Sequence, residues 1–261
     1  MTSAPAPSVG SASIWVLGRV AGPARKTTVL HADQDAVHLD FEGTALSVLG
    51  ARALKLPFGV QTLLPDLPAV SEAETGIVEN GVLSIGPLQV LVTNIVDTTV
   101  PVLSEETTAW GHDHLRRLVE HRVSDVWSEL PAESLAGLSQ ADPAAAVDLL
   151  GAGPGLAPLG DETVAGFLAT AVATRHPRLL EVRGEVAINA SDRTSVLGTT
   201  LLMCAARGEA IPQFRSFMNG VVARNSDVVS QSLELMLDAG GPASAGFLTG
   251  ALHAFGSVSD G

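Results

Sequence analysis

The spacing of apolar residues changes character near Thr107, and this limits the chain to a β-rich part followed by a helical part. Before that point, Ile14 to Val20, Thr27 to His31, Ala36 to Phe41 and Thr44 to Leu49 are short β-branched or alternating segments. Turn residues such as Asp33-Gln34-Asp35 and Glu42-Gly43 separate them. Asn80-Gly81 lies between Gly76-Ile77-Val78-Glu79 and Val82-Leu83-Ser84-Ile85. It predicts a two-residue hairpin, because both central positions of that turn take positive φ and Asn-Gly tolerates this best. Leu88 to Ile95 continues the meander. Residues 1 to 11, built from small residues and proline, read as a disordered tail. The expectation is an α+β protein with an N-terminal antiparallel β-rich domain over 12–106 and a mainly helical domain over 107–261.

In the second part, Trp110, His114, Leu118 and His121 fall on related faces of a helix expected over Thr108 to Glu129 and ended by Pro131. His112, His114 and His121 crowd it. His114 and His121 share a face, but the four-residue spacing of paired helix ligands is absent, so no metal is expected and the histidines read as solvated. Ala144 to Leu150 and Asp161 to Thr174 read as helices on either side of a loop. Leu179 to Ile188 reads as an extended excursion or an irregular helical turn. Asp192 or Thr194 is expected to cap a helix running through Arg207 and stopped by Gly208. Further helices follow from Pro212, from Asp227 to Ala239 and from Pro242 to Phe255.

Composition excludes several partners. The chain has 261 residues, 46% of them apolar, enough for a substantial core. A formal net charge of −13 argues against nucleic acid and anionic membranes, which need a concentrated basic surface. The single cysteine, Cys204, reads as core packing and fits a reducing compartment. No apolar run reaches membrane-spanning length, and the N-terminus lacks the pattern of a secretory signal. The expected location is cytoplasmic.

The loop expected to carry chemistry is Gly151-Ala152-Gly153-Pro154-Gly155-Leu156-Ala157-Pro158-Leu159-Gly160-Asp161-Glu162, which runs into the apolar spacing of Val164, Phe167, Leu168 and Val172. Its glycines bring backbone N–H groups close to a ligand and its prolines fix its shape. Asp161 is placed to cap the helix that follows. A glycine-rich loop at a helix start is a general anion site, although two carboxylates there repel a bare anion. The loop has neither the ending of a P-loop nor the spacing of a dinucleotide-binding turn, so it names no cofactor. A ligand loop and a structural helix entrance are both compatible with it.

The pattern Gly-x-Gly-x-Gly-Leu-x-Pro-x-Gly-Asp-Glu over residues 151–162 resembles the signature of the DUF2877 family, which includes a small subunit of oxamate carbamoyltransferase. The family usually carries Thr where this chain has Ala157 and Asp where it has Glu162. The resemblance extends to His31, to Arg193-Thr194 and to Ala205-Ala206-Arg207-Gly208. It departs at Gly240-Gly241-Pro242-Ala243-Ser244, where the family has Gly-x-x-Ser-Gly. It implies a carbamoyltransferase subunit in nitrogen catabolism, acting on a small amide or ureide acid such as oxamate or oxalurate. The alternative is a non-catalytic subunit that binds larger partner subunits. The phosphate loop and His-Pro-x-Gln element of the best-known transcarbamoylase fold are absent, which implies a different fold.

Carbamoyl transfer needs an anionic donor such as carbamoyl phosphate to be bound and its carbonyl polarised, so arginine and backbone donors matter most. The expected roles are therefore Asp161 and Glu162 as catalytic acids, and Gly153, Gly155, Gly160, Arg193 and Thr194 as substrate-binding residues. His31 is expected to contribute from the β-rich part.

Overall fold

The computed structural model describes residues 6–119, 122–123 and 128–259. These form two compact units, Met1–Asp97 and Thr98–Gly261.

The first unit is a closed eight-stranded barrel. Its strands are β1 (Ser8–Ala12), β2 (Arg25–Ala32), β3 (Ala36–Phe41), β4 (Thr44–Leu49), β5 (Gly59–Thr62), β6 (Thr75–Glu79), β7 (Val82–Ile85) and β8 (Leu88–Ile95). Around the barrel the order is β1-β5-β4-β3-β2-β6-β7-β8. The hairpins read from sequence are present: Asn80 and Gly81 take φ of 48° and 86°, and Glu42 and Gly43 take 56° and 75°. Leu39, Leu46, Val48, Val60, Leu83 and Val90 fill the interior.

Three expectations for this unit are corrected. The sheet is mixed and not antiparallel throughout, because β1 runs parallel to β8 and β4 parallel to β5. Residues 8 to 11 are no tail but most of β1, which closes the barrel between β5 and β8. Pairing so far along the chain leaves no trace in local composition. Ile14–Val20 is helix α1 and not a strand. The Ser13 side chain caps it by accepting from the Val16 N–H, and Val16 and Val20, four residues apart, are both buried.

The second unit is helical. It comprises α2 (Glu105–Val119), α3 (Ala132–Leu138), α4 (Pro143–Leu149), α5 (Leu159–Thr174), α6 (Leu179–Arg193), α7 (Val196–Ala205), α8 (Pro212–Ala223) and α9 (Ser226–Ser259). Gly241 breaks α9 with φ of 49° and ψ of −128°, giving two limbs as the Gly-Gly-Pro sequence predicts. His121 lies outside the described residues. Leu179 to Ile188, expected to be irregular, is regular helix within α6, because Val182, Val186 and Ala190 keep a four-residue apolar spacing that buries one face.

Helix α5 is the core of this unit, with every residue from Leu159 to Ala171 buried. Such a helix needs neighbours on all sides, and the second limb of α9 lies directly against it. A Cβ at Gly166 would collide with the Phe247 carbonyl, and one at Gly250 with the Thr163 carbonyl. The backbones therefore touch, and the apolar side chains around the crossing pack as they do only at that separation. Gly166→Ala is expected to lower stability by about 1–3 kcal/mol through overpacking. Gly184→Ala, in α6 where an added Cβ meets nothing within 4 Å, is expected to raise it by about 0.5–1 kcal/mol. Urea unfolding followed by helical circular dichroism checks both signs.

Candidate functional site

The loop after α4 is held in shape by one buried carboxylate. Asp161 has no exposed surface. Its Oδ1 accepts the Gly151 N–H at 2.9 Å, and its Oδ2 accepts the hydroxyl of Thr194. Asp161 thereby links the start of the loop, the first turn of α5 and the junction of α6 with α7. Gly198 on α7 permits this, since a Cβ there would strike the Asp161 carboxylate and the Thr194 hydroxyl. Burial pushes the Asp161 carboxyl above the usual carboxylate range, and the Thr194 and Gly151 hydrogen bonds oppose that push.

Asp161 is not the helix cap expected from sequence. Helix α5 begins two residues earlier with Pro158 at the cap position, and the Pro158 carbonyl accepts the Asp161 and Glu162 N–H groups. The carboxyl is thus free to reach across to Thr194. Thr194 and Asp192 do not cap α7 either. Ser195 does, accepting the Gly198 N–H at 3.0 Å, while its hydroxyl donates to the Leu156 carbonyl at 2.5 Å. Sequence reasoning passed over Ser195, although Ser before an apolar helical run is a cap signal.

Between these anchors, residues 153–156 are exposed. The N–H groups of Gly153, Gly155, Leu156 and Ala157 have no acceptor among the described residues. Gly153 and Gly155 take φ of 100° and 104°. Gly160 is buried in α5, where a Cβ would meet the Leu149 carbonyl, so its place is one of packing.

Glu162 is nine-tenths buried, and no described residue hydrogen-bonds to its carboxyl. It lies beside the second limb of α9, its Cβ 3.3 Å from where a Cβ on Gly246 would sit. Burial, reinforced by the charge of neighbouring Asp161, pushes its carboxyl up to about 8, so it holds its proton at neutral pH. Two residues before Gly246, the buried hydroxyl of Ser244 also lacks a partner among the described residues.

Arg193 ends α6 with its side chain exposed and no acidic partner among the described residues, next to Thr194. The structure thus brings together Gly160, Asp161, Glu162, Arg193 and Thr194, with Gly153 and Gly155 on the exposed turn of the loop. His31 belongs to the barrel unit, where its Nδ1 is 2.9 Å from Glu72 and its ring stacks on that of His38. His114 is not simply solvated: its Nδ1 donates to the Trp110 carbonyl at 2.9 Å and its ring stacks on Trp110. Cys204 is buried as expected, and burial pushes its thiol up. Among the described residues no group of three His, Cys, Asp or Glu is arranged to hold a metal ion, and no helix is long and apolar enough to cross a membrane.

Residues 149–255 match the family model described as oxamate carbamoyltransferase subunit AllH. The match runs from the end of α4 into the second limb of α9 and contains the whole Asp161 cluster. It bears out the resemblance carried by Gly151 to Glu162. No curated protein and no solved structure matches the chain.

Two measurements follow from this geometry. Asp161→Ala strands the Gly151 N–H and the Thr194 hydroxyl and is expected to cost about 2–3 kcal/mol. Asp161→Asn is expected to cost under about 1 kcal/mol, because the Thr194 hydroxyl can rotate to accept from the amide. Glu162 has a folded pKa above its ordinary 4.5, so the native state binds the extra proton. Its contribution to stability is complete below about 4.5 and is lost as pH rises towards about 8, a fall on the order of 5 kcal/mol over the window. Glu162→Gln is expected to flatten that fall and to be the more stable protein at pH 8.5, as read from Tm against pH.

Proposed function

We propose that the chain is a subunit of a carbamoyltransferase-type enzyme acting on a small amide or ureide acid of the oxamate or oxalurate kind, and that it contributes to the active site. The observation that carries this reading is a shaped loop, exposed over residues 153–156, in which the N–H groups of Gly153, Gly155, Leu156 and Ala157 have no acceptor among the described residues. The match of residues 149–255 to an oxamate carbamoyltransferase subunit supports the reaction class.

Each residue takes the role its surroundings favour. The loop amides receive a carboxylate or phosphate oxygen, as preorganised backbone donors do where negative charge sits or develops. Arg193 supplies the positive charge that offsets Asp161 and admits the anion. Asp161 and Thr194 hold the loop and are positioning residues. Glu162 carries a proton near neutral pH, the state a general acid needs to protonate a leaving group. The chemistry is positioning and charge stabilisation, with no covalent nucleophile assigned.

Thermal unfolding of the purified chain with phosphate, carbamoyl phosphate, oxamate and oxalurate tests the proposal. A ligand at 100 times its Kd adds ~2.7 kcal/mol, which is several degrees for a unit of this size. Carbamoyl phosphate or oxamate is expected to raise Tm, and Arg193→Ala is expected to abolish the shift without lowering the unliganded Tm. No shift with any of these anions would transfer the assignment to the non-catalytic subunit that binds larger partners.

A further inference from the structure

Helices α6 and α7 flank a second feature, a half-open cavity of about 300 Å³. Val186 and Ala190 from α6 and Leu202 and Met203 from α7 form its walls, and among the described residues the only charged ones lining it are Arg183 and Arg207. Arg207 is already engaged, its Nη2 lying 2.9 Å from Glu209 and 3.3 Å from the Cys204 sulfur. Arg183 has no acidic partner among the described residues. On a chain with a net charge of −13, this is an apolar cavity whose lining charges are both positive.

The chemistry of the lining narrows the ligand. With Ser191 and Thr199 as its only uncharged polar residues among those described, the cavity offers too few donors and acceptors for a sugar or a nucleotide. A bare anion would leave the apolar walls wet. A volume of this size is at the small end of the range for ligand pockets. The thioether of Met203, about two-fifths exposed, adapts to a flexible chain. The geometry points to a binding site for an aliphatic carboxylate of short to medium chain, with its tail between α6 and α7 and its carboxylate on Arg183. Its charged end is separate from the glycine-rich loop, since Arg183 stands about 15 Å along α6 from Arg193, and it does not rest on the carbamoyltransferase reading.

Isothermal titration of the whole chain with butanoate, hexanoate, octanoate and decanoate, and with octylamine as control, tests this. Affinity is expected to rise about fourfold for each methylene until the cavity is filled, with octanoate binding more tightly than octylamine. Arg183→Gln is expected to weaken octanoate about threefold to fivefold while keeping the dependence on chain length, because an exposed charge pair contributes little. Ala187→Phe, at an exposed position lining the cavity, is expected to abolish binding with the circular dichroism spectrum unchanged. Equal binding of octylamine, absence of any dependence on chain length, or full affinity in Ala187→Phe would each overturn the assignment. So would a dimer in solution that Ala187→Glu dissolves and that binds none of the acids, because a second copy would then cover this face.

Discussion

The helical unit depends on a buried carboxylate that has just enough donors. Asp161 sits without solvent in the first turn of α5, and the Gly151 N–H and Thr194 hydroxyl hold its two oxygens. A buried charge with no donors would be costly, and a donor with no carboxylate would be stranded, so the loop, α5 and the α6–α7 junction must assemble together. Ser195 fixes the far end of the loop by donating to the Leu156 carbonyl. Between these anchors the N–H groups of Gly153, Gly155 and Leu156 have no acceptor among the described residues.

Adjacent carboxylates are put to different uses by a rotation of about 100° around one helix. Asp161 points to the loop and the α6–α7 junction and receives two hydrogen bonds. Glu162 points towards α9, receives none, and is pushed up to about 8. The same burial acts on both, and the hydrogen bonds oppose it only at Asp161. Neighbouring carboxyls whose environments differ in this way titrate over different pH ranges.

Much of this was legible locally. The Asn80-Gly81 and Glu42-Gly43 hairpins, the division into a β-rich and a helical part, the break at Gly241-Pro242 and the motif from Gly151 to Glu162 all rest on residues a few positions apart. Elsewhere one local signal loses to another contact. Asp161 before an apolar run carries a cap signal, but Thr194, thirty-three residues on, claims its carboxyl. Ile14 to Val20 has the β-branched residues of a strand, but the Ser13 cap and the buried Val16 and Val20, all local, make it helical.

Local sequence is sufficient for most individual elements and for the chemistry available at the loop: glycines for close approach, prolines for shape, two carboxyls and an Arg-Thr pair. Those properties follow from dihedral preferences and side-chain inventory, which act over a few residues. Packing of distant segments is what makes β1 close the barrel parallel to β8, sets Asp161 to hold the loop and lets Glu162 keep its proton. The first is a register between strands some eighty residues apart in the chain. The others are matters of desolvation, which exists only once α5 is enclosed by α9 and its other neighbours.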